Sequence, residues 1–235
     1  MNRYQALMQR LDKGERILID GATGTEIERR GVPMVSNAWN GLGAKTHPDI
    51  VRGVHEDYIR SGAEIVISNT FSTSRHVLQD AGYEHDFELL NRRGIELARE
   101  ARTNLENPRV LVAGGIAYLS FTGKTPPEPR LRSNLEDQAA IMADAGADLI
   151  MLEMMADNER TQIAVEAAQK TGLPVWVGFS CKLDDNGGPQ LLYGSSLADG
   201  IKVIGDYDVP VITIMHTEVE YVQACVEVMK ANWQG

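Results

Sequence analysis

The chain has 235 residues, a formal net charge of −10 and an isoelectric point of about 5.0. Hydrophobic residues make up 43% of the chain and charged residues 24%, which is enough apolar material for a core and excludes wholesale disorder. The acidic balance argues against nucleic acid or an anionic membrane as the main partner, and no apolar run approaches the roughly 18 residues of a membrane-spanning helix. Two cysteines, Cys181 and Cys225, cannot make a disulfide framework, and we expect both to be thiols in a reducing compartment. The N-terminus has no signal-peptide pattern, so we expect a cytoplasmic location.

Helix-like segments separate six short apolar runs along the chain. The runs cover residues 16–20, 64–69, 109–114, 148–153, 174–180 and 210–216. Nearly continuous apolar runs of this length, bounded by Gly, Pro or Asp, are typical of strands buried on both faces of a parallel sheet. Between the first two runs, Val51, Val54 and Tyr58 fall on one face of an amphipathic helix. We therefore expect six parallel strands in sequential order.

This alternation runs through residues 1–235 without a linker or low-complexity tract, so we expect one domain. It predicts an α/β fold with right-handed crossovers, either a doubly wound sheet or a (β/α)8 barrel, and the pattern alone does not choose between them. Active sites of both architectures lie at the carboxyl ends of the strands. The predicted strands end in polar residues, which are Asp20, Asn69 with Thr70, Glu153, Ser180 with Cys181, and His216 with Thr217. We expect these ends to form a polar pocket at one edge of the sheet.

The other histidines and the cysteines have structural interpretations. His47, His55, His76 and His85 lie on predicted helices or just before them, where solvated or capping roles are expected. Cys225 shares a helical face with apolar neighbours and is expected in the core. We expect both cysteines to be inert thiols.

A series of motifs along the chain resembles the homocysteine S-methyltransferase family. The motifs are Asp-Gly-Ala-Thr-Gly-Thr-Glu at 20–26, Arg-Arg-Gly at 29–31, Trp39, His-Pro-Asp-Ile-Val at 47–51, Ser-Asn-Thr-Phe at 68–71, Ala-Gly-Gly at 113–115, Ala-Gly-Ala-Asp at 145–148 with Glu153, and Val-Trp-Val-Gly-Phe-Ser at 175–180. The motifs up to about residue 70 are the distinctive ones. The glycines at 21 and 24 lack the spacing of a dinucleotide-binding fingerprint.

The resemblance implies a TIM (β/α)8-type barrel that transfers a methyl group from a small-molecule donor to the thiol of homocysteine, forming methionine. In the family, zinc held by three cysteines keeps the sulfur as the reactive thiolate. The family's acidic residues that match Asp20 and Glu153 face the amino group of the substrate. By the same resemblance, further substrate contacts are expected from Ala22, Thr23, Asn69 and Thr70. Homocysteine and a small methyl donor are the expected partners, and self-association into a homo-oligomer is left open.

The chain departs from the family where the zinc ligands are expected. His216 stands where the family has its first cysteine ligand, and the family's Gly-Gly-Cys-Cys segment has no counterpart. About six β-α units are present against the eight of a closed barrel, so we expect a barrel that is C-terminally truncated relative to the family; a natural short form closed by another chain is the alternative. His216 is a candidate zinc ligand, because neutral imidazole suits zinc. With this one ligand in register, we expect weak zinc binding or none.

Three functions fit these observations. The leading interpretation is a homocysteine S-methyltransferase-like enzyme. A non-catalytic or divergent small-molecule-binding barrel that has lost the zinc site is the alternative. The third is a methyltransferase with altered metal ligation that uses a quaternary ammonium or sulfonium donor. Metal analysis separates the first two, and the sequence does not identify the donor.

Overall fold

The structure, a computed structural model, describes residues 1–234 and centres on a parallel sheet. The strands are β1 (Ile65–Ile67), β2 (Leu111–Ile116), β3 (Leu149–Met155), β4 (Val175–Phe179), β5 (Cys181–Leu183), β6 (Pro189–Leu191) and β7 (Val211–Ile214). Five of them form one curled sheet in the order β1-β2-β3-β4-β7, and every neighbouring pair is parallel. The predicted α/β fold with sequential parallel strands is therefore confirmed. β5 and β6 pair as a separate antiparallel hairpin, which the sequence pattern does not predict.

The first predicted strand, residues 16–20, is wrong in extent. Only Ile19 pairs, through an isolated parallel bridge to Ile65, and the Asp20 N–H donates to the Ile65 carbonyl at 3.0 Å. The Ile67 N–H, which would continue this ladder, donates to the Asp20 side chain instead, at 2.8 Å. The ladder stops because a carboxylate has replaced a backbone acceptor.

Helices pack around the sheet. They are α1 (Arg3–Asp12), α2 (Thr23–Arg29), α3 (Gly43–Thr46), α4 (Pro48–Arg60), α5 (Arg75–Ala81), α6 (Phe87–Asn104), α7 (Glu128–Asp144), α8 (Asn158–Gln169), α9 (Leu197–Ile204) and α10 (Val219–Asn232). Consecutive contacts link α4 to α6, α6 to α7, α7 to α8, α8 to α9 and α9 to α10. Among the helices of residues 1–234, none combines the length and the apolar character that crossing a membrane requires.

Alternate residues of each strand enter two hydrophobic cores. The outer core, between sheet and helices, contains Val66, Val112, Ile150, Val177 and both cysteines. The inner core, on the concave face, contains Ile65, Leu111, Leu149 and Trp176. Helix α1 covers the inner core at the amino ends of the strands, where the Trp176 indole N–H donates to the Tyr4 hydroxyl at 3.0 Å. The predicted burial of both sheet faces is confirmed.

Two histidines contradict the expectation of solvated or capping roles. His55 is 0% exposed on α4, and neither ring nitrogen has a hydrogen-bond partner among residues 1–234. His76 is buried on α5, with Nε2 3.1 Å from the Tyr118 carbonyl oxygen. Cys225 is fully buried, as expected.

Candidate functional site

A cavity of about 360 Å³ lies at the carboxyl ends of the strands. It is lined by residues 19–25, Trp39, Asn40, residues 67–69, Phe71, Glu153, Met215 and His216. Six of the seven residues expected at the site therefore meet at one pocket. The exception is Thr70, which is fully buried and donates its hydroxyl to the Gly115 carbonyl at 2.7 Å. That hydrogen bond turns the Thr70 side chain between β1 and β2 rather than into the cavity.

Asp20 is an acidic group in this pocket with one oxygen unused. It is 8% exposed, and its Oδ2 accepts the Ile67 N–H, whereas Oδ1 has no partner among the described residues. Burial is the main cause that raises the pKa of Asp20 to about 7; the hydrogen bond from Ile67 opposes the shift. The carboxyl group is thus close to half-protonated near neutral pH.

Glu153, at the end of β3, is the second buried carboxyl group. It is 9% exposed, and its Oε1 has no hydrogen-bond partner in residues 1–234. Burial, and to a lesser extent the negative charge of Asp20, raise the pKa of Glu153 to about 8. Gly115 on β2 makes room for this carboxyl group, because a Cβ at that position would overlap Glu153 Oε1. Two carboxyl groups with unused oxygens suit a cationic ligand that carries several N–H donors.

Asparagines hold the loop that forms one side of the pocket. The Asn40 amide donates to the Gly24 carbonyl, and the Asn69 amide donates to the Asn40 carbonyl at 3.1 Å. Gly24 allows this close approach, since a Cβ there would lie 3.0 Å from Asn40 Nδ2. These contacts place Ala22 and Thr23 at the cavity. Sequence reasoning missed Asn40 as a pocket residue, and its position directly after the motif residue Trp39 is the available signal.

Trp39 and Phe71 line the cavity beside His216, and Phe121 packs against both of these rings; the three together are called the aromatic wall below. The Phe121 ring meets Trp39 edge-on with centroids 5.7 Å apart and lies 6.4 Å from the Phe71 centroid. The Phe71 and His216 rings are 5.3 Å apart. The His216 side chain is exposed, and the desolvation it retains from neighbouring groups lowers its pKa. In the sequence, Phe71 stands out only as part of a motif. No sequence pattern singles out Phe121, because its contacts are with residues distant in sequence.

The profile of the family described as homocysteine S-methyltransferase matches residues 17–234. The chain belongs to the homocysteine S-methyltransferase family. Homocysteine S-methyltransferase 4 of Zea mays is 27% identical over 195 residues, which covers 73% of this chain and 57% of that protein. Betaine–homocysteine S-methyltransferase 1 of Danio rerio is 27% identical over 173 residues, covering 73% of this chain and 42% of that protein. The chain thus spans about half the length of these two relatives.

The homocysteine methyltransferase MmuM of Escherichia coli is similar in structure. Its metallated form has a TM-score of 0.84 and 25% identity, covering 98% of this chain and 84% of that chain. Its oxidized form has a TM-score of 0.83 at the same 25% identity. The family assigned from the motifs is therefore confirmed. The MmuM structure has the same fold as this chain.

Zinc, which the family resemblance implies, does not fit the side chains of residues 1–234. Within that range, no group of three or more His, Cys, Asp or Glu side chains is placed to hold a metal ion. His216 lies at the pocket, but Cys181 and Cys225 are buried in the outer core. Burial raises the pKa of the Cys181 thiol, which disfavours the thiolate that zinc would need. One imidazole is short of the three protein ligands of a catalytic zinc site.

Proposed function

We propose that the chain binds homocysteine in this pocket and transfers a methyl group from a small cationic donor to its thiol, forming methionine. The observation that carries this proposal is the buried pair of Asp20 and Glu153, each with one carboxyl oxygen lacking a partner among the described residues. A substrate ammonium group supplies the hydrogen-bond donors that these oxygens lack. The family match supports homocysteine as the amino acid that carries this ammonium group.

The carboxyl pair changes its protonation when the ammonium group binds. With pKa values of about 7 for Asp20 and about 8 for Glu153, the pair retains a proton near neutral pH. A bound cation favours the ionised form of both groups, so binding releases a proton and tightens as the pH rises. Two carboxylates from separate strand ends then hold the amino acid in one orientation.

In the methyl transfer, the acceptor sulfur attacks the donor methyl group directly. The new sulfur–carbon bond forms as the bond between the methyl group and the donor heteroatom breaks, and the thiol proton passes to solvent. Relatives of the chain are named for betaine and for S-methylmethionine as donors, and both carry a methyl group on a cationic centre. The aromatic wall offers π faces that attract such a cation. We assign no step to zinc, since the described side chains do not form a site for it.

For the whole protein we infer a TIM (β/α)8-type barrel with a role in methionine biosynthesis. The likeness to MmuM, at a TM-score of 0.84, supports this architecture. A cytoplasmic location is supported by the two free buried thiols.

Calorimetric titration of the 235-residue chain with L-homocysteine tests the proposal. We expect Asp20→Asn and Glu153→Gln each to weaken binding by about 1.5–3 kcal/mol, because a charge-assisted hydrogen bond in a buried site is lost. Glu220→Gln, at an exposed position on α10, is the matched control and should bind like the parent. Unchanged affinity in both pocket variants, or no binding by the parent, contradicts the proposed acceptor site. Mass spectrometric detection of methionine with betaine or S-methylmethionine as donor then separates an enzyme from a binding barrel.

A further inference from the structure

The segment that carries Trp39 into the pocket is folded back on itself. The Val35 N–H donates to the Trp39 carbonyl at 2.7 Å, and the Trp39 N–H donates to the Ser36 carbonyl at 3.2 Å. Ser36 has φ 42° and Trp39 has φ 49°, left-handed values that non-glycine residues rarely adopt. Two such residues in one short turn cost free energy, and surrounding contacts must compensate for this cost.

Asn37, between these two strained residues, makes those contacts. It is 2% exposed, and its Oδ1 accepts the Phe121 N–H at 2.9 Å. Its Nδ2 donates to Ser120 Oγ at 3.0 Å and to Asp80 Oδ2 at 3.3 Å. One buried amide thus connects the Trp39 turn to α5 and to the loop after β2.

The Phe121 side chain depends on this connection. It is 65% exposed, so burial alone holds it weakly, yet its ring packs edge-on against Trp39 at 5.7 Å. Asn37 binds the Phe121 backbone and lies two residues before Trp39, and it therefore sets the relative position of the two rings. A single edge-on aromatic contact is too weak to order an exposed loop without a second anchor.

We propose that Asn37 is a positioning residue that holds Trp39 and Phe121 together as the methyl-donor side of the pocket. Its substitution loosens the aromatic wall and weakens donor binding, while the acceptor carboxyl groups of Asp20 and Glu153 stay in place. The assignment of the wall to the donor rests on the proposed function. The positional role of Asn37 does not, and it is measurable without any ligand.

Fluorine NMR of the chain labelled with 5-fluorotryptophan measures the positional role directly. The chain has three tryptophans, Trp39, Trp176 and Trp233, and Trp39→Phe assigns the resonance of Trp39. We expect Asn37→Ala and Asn37→Asp to move the Trp39 resonance toward the position of free 5-fluorotryptophan and to leave the other two unchanged. An unmoved Trp39 resonance in both variants overturns the proposal. Asn186→Ala, at an exposed turn between β5 and β6, is the matched control.

An exchange of the two side chains distinguishes the hydrogen bond from a general loss of packing. In Asn37→Asp the new carboxylate faces the carboxylate of Asp80, whereas adding Asp80→Asn restores a donor across the 3.3 Å contact. The Ser120 hydroxyl can rotate and donate to the new carboxylate. We expect the double variant to return the Trp39 resonance toward its parent position; failure to return contradicts the assignment. If the Asn37 variants do not fold, Ser120→Ala removes one of the three bonds and should give a smaller shift in the same direction.

Ligand titrations then test the donor side. In Asn37→Asp we expect S-methylmethionine and betaine to bind about threefold to tenfold more weakly, with the affinity for homocysteine unchanged. Equal weakening of donor and acceptor contradicts a donor-specific role. If the parent binds neither donor, the proposed function fails on its donor side, while the NMR result still decides the position of Asn37.

Discussion

Glu153→Gln should make the unliganded protein more stable at alkaline pH while it weakens homocysteine binding. The ordinary pKa of a glutamate is 4.5, and burial with the nearby Asp20 charge raises the pKa of Glu153 to about 8. Between these pH values the unfolded chain has lost the proton that the folded chain keeps. The free energy of unfolding therefore falls as the pH rises from 4.5 to about 8, with the loss complete above the folded pKa.

The size of the effect follows from the same two values. A difference of about 3.5 pH units at 1.36 kcal/mol per unit sets an upper limit of about 5 kcal/mol at pH 9. The glutamine side chain of the variant is not ionisable, so the variant loses this pH dependence but keeps a side chain of nearly the same shape. We expect the two proteins to differ by less than about 1 kcal/mol at pH 5 and the variant to be more stable by about 2–5 kcal/mol at pH 9.

Urea denaturation at pH 5, 7 and 9, followed by the fluorescence of the three tryptophans, of which Trp176 is buried, measures this difference. Glu220→Gln removes an exposed carboxylate and should follow the parent at every pH. Parallel pH profiles for the parent and Glu153→Gln would refute the reasoning, because Glu153 would then be ionised in the folded protein at no cost. Confirmation would show that the protein gives up stability at this position to hold a substrate cation.

Burial lowers the pKa of His55 to about 4, so the free energy of unfolding should fall as the pH drops from 6.5 toward 4. His55→Leu should remove this acid dependence, a change of up to about 3 kcal/mol in urea denaturation. Gly115→Ala should abolish homocysteine binding in calorimetry, because its Cβ occupies the place of the Glu153 carboxyl group, and should cost about 1–3 kcal/mol in stability. Gly53→Ala, which meets only Arg30 at an ordinary 3.5 Å, is the control and should bind normally. After dialysis against a weak chelator, elemental analysis should find zinc well below one ion per chain. Stoichiometric zinc that His216→Ala removes would instead make His216 a substitute ligand.

Local pattern determined the order of the sheet and most of the pocket. Short apolar runs separated by amphipathic helices leave few topologies, and parallel strands bring their carboxyl ends to one edge. Asp20, Asn69, Glu153 and His216 therefore meet at a cavity, as predicted from their positions at the ends of the runs. The motifs before residue 70 also placed the chain in its family.

Tertiary structure alone decided which side chains face the cavity and which contacts hold them. Thr70 is adjacent to Asn69 in sequence, yet the Gly115 carbonyl captures its hydroxyl and turns it away. The pKa of Glu153 depends on burial and on Asp20, which is remote in sequence, so no local pattern encodes it. Asn37 and Phe121 are 84 residues apart, and only the folded chain brings that amide and that backbone N–H together. Residue spacing records the period of a strand or a helix, whereas hydrogen bonds and desolvation depend on neighbours that the fold supplies.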